Sequence, residues 1–215
     1  MNDLVEYLRS FNAKERYFLL GRILANPELK PALPFLHEMS RVLGIEIPQA
    51  VFSAMDYHLD WLFVSLNLAA EAPVDAVHRN DEFIVKGQQE DVDFLIAFES
   101  EGIWHVILVE AKGVTGWADK QMRSKAHRLK AIFGEDGKRW PKVVPHFVLI
   151  SPHLPETLDY SSWPGWMAPS GRLPWMQLRI PQGLKAVARC NPDGKKDKNG
   201  TFWKVVVRRF QRLIG

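Results

Sequence analysis

Asp93, Glu110 and Lys112 are the residue types that hold a divalent cation and act on a phosphate, and their spacing brings them within reach of one another. Asp91-Val92-Asp93-Phe94-Leu95-Ile96-Ala97-Phe98 is an apolar run of strand length with acids at its start. His105 to Glu110 is a second such run, ending in Glu110-Ala111-Lys112-Gly113. Along a strand, residues two apart share a face, so Glu110 and Lys112 project together while Ala111 points away. Two carboxylates a few ångströms apart repel unless a cation sits between them, and hard oxygen donors with room for water suit Mg²⁺ or Mn²⁺. Asp93 and Glu110 are therefore the expected metal ligands. A cation there lowers the pKa of a bound water and offsets charge growing on a phosphate, and the Lys112 ammonium orients that water or stabilises the same charge. Asp91 shares a face with Asp93 and stays open as the alternative ligand. Asp93 is preferred because it directly precedes the run Phe94 to Phe98.

The element after these strands supplies more polar groups. From Trp117 to Phe133 the spacing predicts a helix with Gln121, Lys125 and Arg128 on one face and Met122, Ala126, Leu129 and Phe133 in an adjacent apolar stripe. The polar face can look back at the strands.

The arrangement of Asp93, Glu110 and Lys112 resembles the PD-(D/E)xK nuclease superfamily, in which an Asp opens one strand and a Glu-x-Lys ends the next. The likeness spans roughly residues 80 to 150, as a motif read in its expected setting. The leading proline of the family motif is absent, since Asp91 follows Glu90 and Asp93 follows Val92. The resemblance implies an α/β, restriction-endonuclease-like fold with a mixed central sheet flanked by helices, and a Mg²⁺- or Mn²⁺-dependent phosphodiesterase. Asp93 and Glu110 are then ligands, with Lys112 catalytic. Gln121 and Lys125 look like the positions that many members carry on the helix beside the active site, and with Arg128 they are the expected substrate-binding residues. Some members draw a further acid from a helix ahead of the sheet, which makes Asp60 or Asp56 a candidate.

The remainder of the chain sets the frame. At 215 residues, 47% apolar and 25% charged, it has the composition of an ordinary soluble globular protein with one substantial core. Residues 1–70 read as a helical extension and residues 71–215 as the α/β unit, together one compact body. Asn12 and Glu15 form a capping-box-like start for a helix over Ala13 to Ala25, a second helix fits Pro34 to Leu43, and a longer one fits Gln49 to Ala70. On that last helix Asp56, Asp60 and Asn67 fall within about 40° of each other. Strands are expected over Asp81 to Lys86, Asp91 to Phe98, Trp104 to Glu110 and Val143 to Ile150, with a turn at Gly87-Gln88-Gln89 and a parallel crossover through the helix. Ser151 to Pro174 is proline-rich and reads as an ordered loop in which Tyr160, Trp163 and Trp166 are anchors or base-stacking platforms. Trp175 to Ile180 and Thr201 to Phe210 complete the strands.

No apolar segment approaches the ~20 residues of a membrane span, and no signal-length run opens the chain, so a cytoplasmic location without a membrane partner is expected. The one cysteine, Cys190, excludes an intrachain disulfide and a thiolate zinc cluster. The seven histidines show no ligand spacing and receive no role. Charge is segregated: residues 1–110 hold 8 Lys and Arg against 18 Asp and Glu, whereas residues 111–215 hold 20 against 7. Lys185, Arg189, Lys195, Lys196, Lys198, Lys204, Arg208, Arg209 and Arg212 face only Asp193 and Asp197. Such a field suits a phosphate backbone, so the expected partner is nucleic acid, DNA in first place, and a homodimer is a candidate assembly. The expectation is a metal-dependent nuclease; the alternative is a nucleic-acid-binding or assembly protein that keeps the fold without turnover.

Overall fold

The computed structural model describes residues 3–70, 72–87, 90–113, 116–181 and 183–207. Gln88 and Gln89 of the expected turn lie outside them, as do Arg208, Arg209, Phe210 and Arg212. Helices α1 (Leu4–Phe11), α2 (Glu15–Ile23) and α3 (Leu33–Leu43) lead into strand β1 (Phe52–His58) and helix α4 (Leu59–Ala69). Strands β2 (Asp91–Ser100) and β3 (Ile103–Ala111) follow, then helix α5 (Asp119–Phe133) and strands β4 (Val143–Ser151), β5 (Trp175–Gln177), β6 (Lys185–Cys190) and β7 (Phe202–Val207). The fold is mixed α/β, with a five-stranded sheet in the order β1-β2-β3-β4-β5 and a separate two-stranded sheet of β6 and β7.

Strands β1, β2 and β3 are antiparallel neighbours, and β4 joins β3 in parallel through α5. The β2–β3 turn is tight because Glu101 and Gly102 both take positive φ, 53° and 78°, matching the right-handed twist of the strands they join. Alternation then sorts the side chains into two cores. Leu95, Ala97, Val106 and Leu108 pack with α1, α4 and α5 on one face; Ile96, Phe98, Ile107 and Val109 pack with Leu36 and Met39 of α3 on the other. Helices thus cover both faces of the sheet.

Three expectations change. Residues 49–70 are not one helix: Phe52 to His58 form the edge strand, so part of the first 70 residues belongs to the sheet. The reason lies at Asp56, whose φ of 49° breaks the pleat. Ala54 and Tyr57, three apart, consequently enter the same core, a spacing that imitates a helix in sequence. Nor is Asp81 to Lys86 a strand, because β1 occupies the edge it would have paired with. Its backbone is satisfied by side chains instead: Asn80 donates to the Val85 carbonyl (2.7 Å) and accepts from its N–H (3.1 Å). Finally, β7 does not extend the main sheet but pairs with β6. Among the described residues no helix is long and apolar enough to cross a membrane.

Asp60, at the start of α4, ties three elements together. It accepts from the N–H groups of Lys86 (3.0 Å) and Gly87 (2.7 Å) and pairs with the Arg128 guanidinium of α5. Arg128 is 2% exposed, and removing one partner of a buried ion pair strands the other charge. Asp60→Ala is expected to cost about 3–5 kcal/mol, measured as a lower urea midpoint; an unchanged midpoint would mean that Arg128 does not depend on Asp60.

Candidate functional site

The ends of β2 and β3 meet α5 in a cluster of ionisable groups. Asp93 and Glu110 each lie one residue beyond the Phe94–Val109 pair that ends the β2–β3 ladder. Asp93 Oδ2 accepts from the Ala111 N–H at 2.6 Å, taking the place of a backbone acceptor where the ladder ends. Lys112 leaves the sheet next, its N–H donated to the Ile150 carbonyl (2.8 Å) and its ammonium 5.9 Å from the centre of the Trp117 ring. The first rung on the other side of β2 pairs Asp91 with His58 of β1.

Glu110 is the group most altered by its surroundings. At 2% exposure its carboxylate has lost most of its hydration, and burial drives its pKa up to about 7. The Lys125 ammonium, donating to Glu110 Oε1 at 2.7 Å, acts against this shift; Asp93 reinforces it, and Lys112 opposes it more weakly. Lys125 also donates to the Asp91 backbone carbonyl, and so bolts α5 to both strands. The Asp91 carboxylate meets Lys14 at 3.2 Å. His58, stacked on Trp61 at 4.1 Å, has its pKa lowered by burial and then by Lys14.

The sequence candidates are therefore distributed unevenly. Asp93, Glu110, Lys125 and Asp91 come together, and Lys112 is near enough for its charge to reach Glu110. Gln121 is exposed and, with Glu90, Asp91, Lys120, Ser124 and Lys125, lines an open cleft of about 530 Å³ beside this cluster. Arg128, expected to face substrate, is instead buried against Asp60, because α5 turns that side of its polar face inward. Asp60 in turn has its oxygens occupied by Arg128 and two backbone N–H groups, which makes it an anchor rather than a metal ligand. Asp56 sits on β1 rather than on a helix and pairs with Arg16 at 2.9 Å. Among the described residues, no three His, Cys, Asp or Glu side chains are grouped to hold a metal.

Two features were invisible in the chain order. Lys14 and His58 reach the cluster only through the fold, without a local motif to mark them. On the opposite sheet face, His105 Nδ1 and His146 Nε2 lie 3.0 Å apart on adjacent strands. One nitrogen must donate and the other accept, so the accepting ring at least is neutral; burial lowers the His105 pKa, and burial and His105 hold the His146 pKa down at about 4. Trp163 is a buried anchor against Phe147 rather than a stacking platform.

No family model matches this chain, and no curated protein or solved structure shows significant similarity to it.

A folded-state pKa of about 7 lies above the ordinary 4.5 of a glutamate, so Glu110 contributes stability that is complete below pH 4.5 and lost as pH rises through 7. The Glu110→Gln variant lacks that loss. Its melting temperature relative to wild type, measured in EDTA, should climb between pH 4.5 and 7 and then level off; a difference independent of pH would show that Glu110 ionises in the folded protein as it does in the unfolded chain.

Proposed function

We propose that this protein is a metal-dependent phosphodiesterase acting on nucleic acid, DNA in first place, of the PD-(D/E)xK type that its Asp93, Glu110 and Lys112 resemble. The observation that carries the proposal is the apposition of Asp93 and Glu110 at the ends of β2 and β3, with Glu110 too crowded and too dry to ionise easily. Each acid commits one oxygen, Asp93 Oδ2 to Ala111 and Glu110 Oε1 to Lys125. The second oxygens would be the donors for a Mg²⁺ or Mn²⁺, which needs only one or two carboxylates when waters and substrate phosphate complete its shell. Bound there, such a cation would supply an activated water and offset negative charge on the phosphate.

The chain's own groups do the rest. Lys125 orients Glu110 and keeps it from turning away. Lys112, whose charge reaches Glu110, places a cation where charge develops in the transition state. Gln121 and Lys120, on the wall of the cleft, meet the nucleic-acid backbone. A second reading, a nucleic-acid-binding protein without turnover, draws support from one fact: Glu110 is almost wholly buried and already paired with Lys125. Cleavage by the wild type decides between them.

Purified protein on plasmid, linear and single-stranded substrates should cut with Mg²⁺ or Mn²⁺ and fail in EDTA. Lys112→Ala should lower the cleavage rate by about 10²-fold or more while affinity stays within several-fold, because one ammonium adds little binding among many phosphate contacts. No cleavage by wild type under any of these conditions, or equal rates in Lys112→Ala, would abandon the enzyme.

A further inference from the structure

The hairpin of β6 and β7 stands outside the main sheet and shows an unusual face. Residues two apart on each strand place Lys185, Val187 and Arg189 beside Val207, Val205 and Trp203, and all six side chains are exposed. Trp203 is 69% exposed and Val187 72%. Arg189 lies directly across from Trp203, its Nε donated to the Gly200 carbonyl at 2.9 Å. The result is an apolar strip with an indole at one end and cations along it.

The loop joining the strands is built to display charge. Asn191 donates its N–H to the Lys195 carbonyl (2.9 Å), the Lys195 N–H returns to Asn191 Oδ1 (2.8 Å), and the Asp197 N–H reaches the Arg189 carbonyl (3.1 Å). Cys190 and Lys196 form an isolated antiparallel bridge. The return path passes so close to Cys190 that a Cβ at Gly200 would lie 2.2 Å from the Cys190 carbonyl oxygen, so only glycine allows it. Lys195, Lys196 and Lys198, all exposed, are thereby carried on the pinned loop that joins the two strands.

We propose that this face binds single-stranded nucleic acid, with Trp203 stacking on an unpaired base and Arg189, Lys185 and the loop lysines contacting phosphates. Complementarity selects this ligand. The strip demands a ligand that is at once polyanionic and apolar, and a single strand presents base faces that a duplex keeps hidden in its stack. A second copy of the chain is disfavoured, since two such faces would oppose Arg189 and Lys185 to their own equivalents. The hairpin shares its polymer with the proposed phosphodiesterase but does not require cleavage, and measurement in EDTA keeps the two apart.

The test is fluorescence anisotropy of a labelled oligothymidylate and of a duplex of equal length, in EDTA across a series of NaCl concentrations. Wild type should bind the single strand more tightly than the duplex. Trp203→Ala should weaken single-strand binding by about 10- to 100-fold, the usual worth of one stacked base, and Trp203→Phe should restore most of it. Combined Lys195→Ala, Lys196→Ala and Lys198→Ala should flatten the salt dependence by roughly two units of slope. An unchanged melting curve shows that each variant is folded; the hairpin strands alone can be checked by the Trp203→Phe rescue. Equal affinity for duplex and single strand with no effect of Trp203→Ala overturns the proposal. So does Trp203-dependent binding to anionic lipid vesicles, or Trp203-dependent dimerisation in sedimentation, if no oligonucleotide binds.

Discussion

Two cations on the inner side of α5 organise the molecule. Lys125 and Arg128 are 6% and 2% exposed, and a buried ammonium or guanidinium costs several kcal/mol unless an anion meets it. Each finds a separate acid: Glu110 from β3 for Lys125, Asp60 from α4 for Arg128. Because these residues are one turn apart, the two pairs fix both the rotation of α5 and its height over the sheet. The backbone carbonyl of Asp91 adds a third point on β2. The cleft beside Gln121 takes its shape from the register in which these contacts hold α5.

This arrangement also explains what the helix conceals. Its apolar stripe of Met122, Ala126, Leu129 and Phe133 is fully buried, as its spacing implies. The adjacent polar residues look like a solvated or ligand-facing side, and for Gln121 that is so. For Lys125 and Arg128 the partners lie 15 and 68 residues earlier, so nothing local distinguishes a displayed cation from a neutralised one. The strand pair β2 and β3 was legible because alternation, a tight turn and terminal acids agree. α5 was legible from its apolar stripe at helical spacing and β4 from its alternation. β1 was not: Asp56 in a left-handed conformation replaces the two-residue period with a three-residue step, and tertiary pairing with β2 overrides the helical look of Phe52 to His58. The side-chain-supported loop at Asn80 to Lys86 fails likewise, since its strand-like composition meets no partner edge.

The candidate site follows the same division. Asp93, Glu110 and Lys112 are joined by a period of two and one hairpin, and sequence carries such short-range geometry well. Lys14, His58 and the buried state of Lys125 depend on long-range packing. The double histidine of His105 and His146 depends on the parallel register of β3 with β4 and has no signature at all in the order of the chain.

The connectivity around Glu110 bears on the order of assembly. β1, β2 and β3 meet through antiparallel pairing, and the β2–β3 turn closes over two residues, whereas β4 joins only after α5 has crossed the sheet. Contacts between near neighbours in the chain form before those that need a long loop to close. Asp93 and Glu110 thus belong to the part of the sheet that one short hairpin closes, whereas Lys125 reaches Glu110 only across the longer connection into α5. The repulsion is local in the chain, and apart from Lys112 its counterion is supplied from a distance.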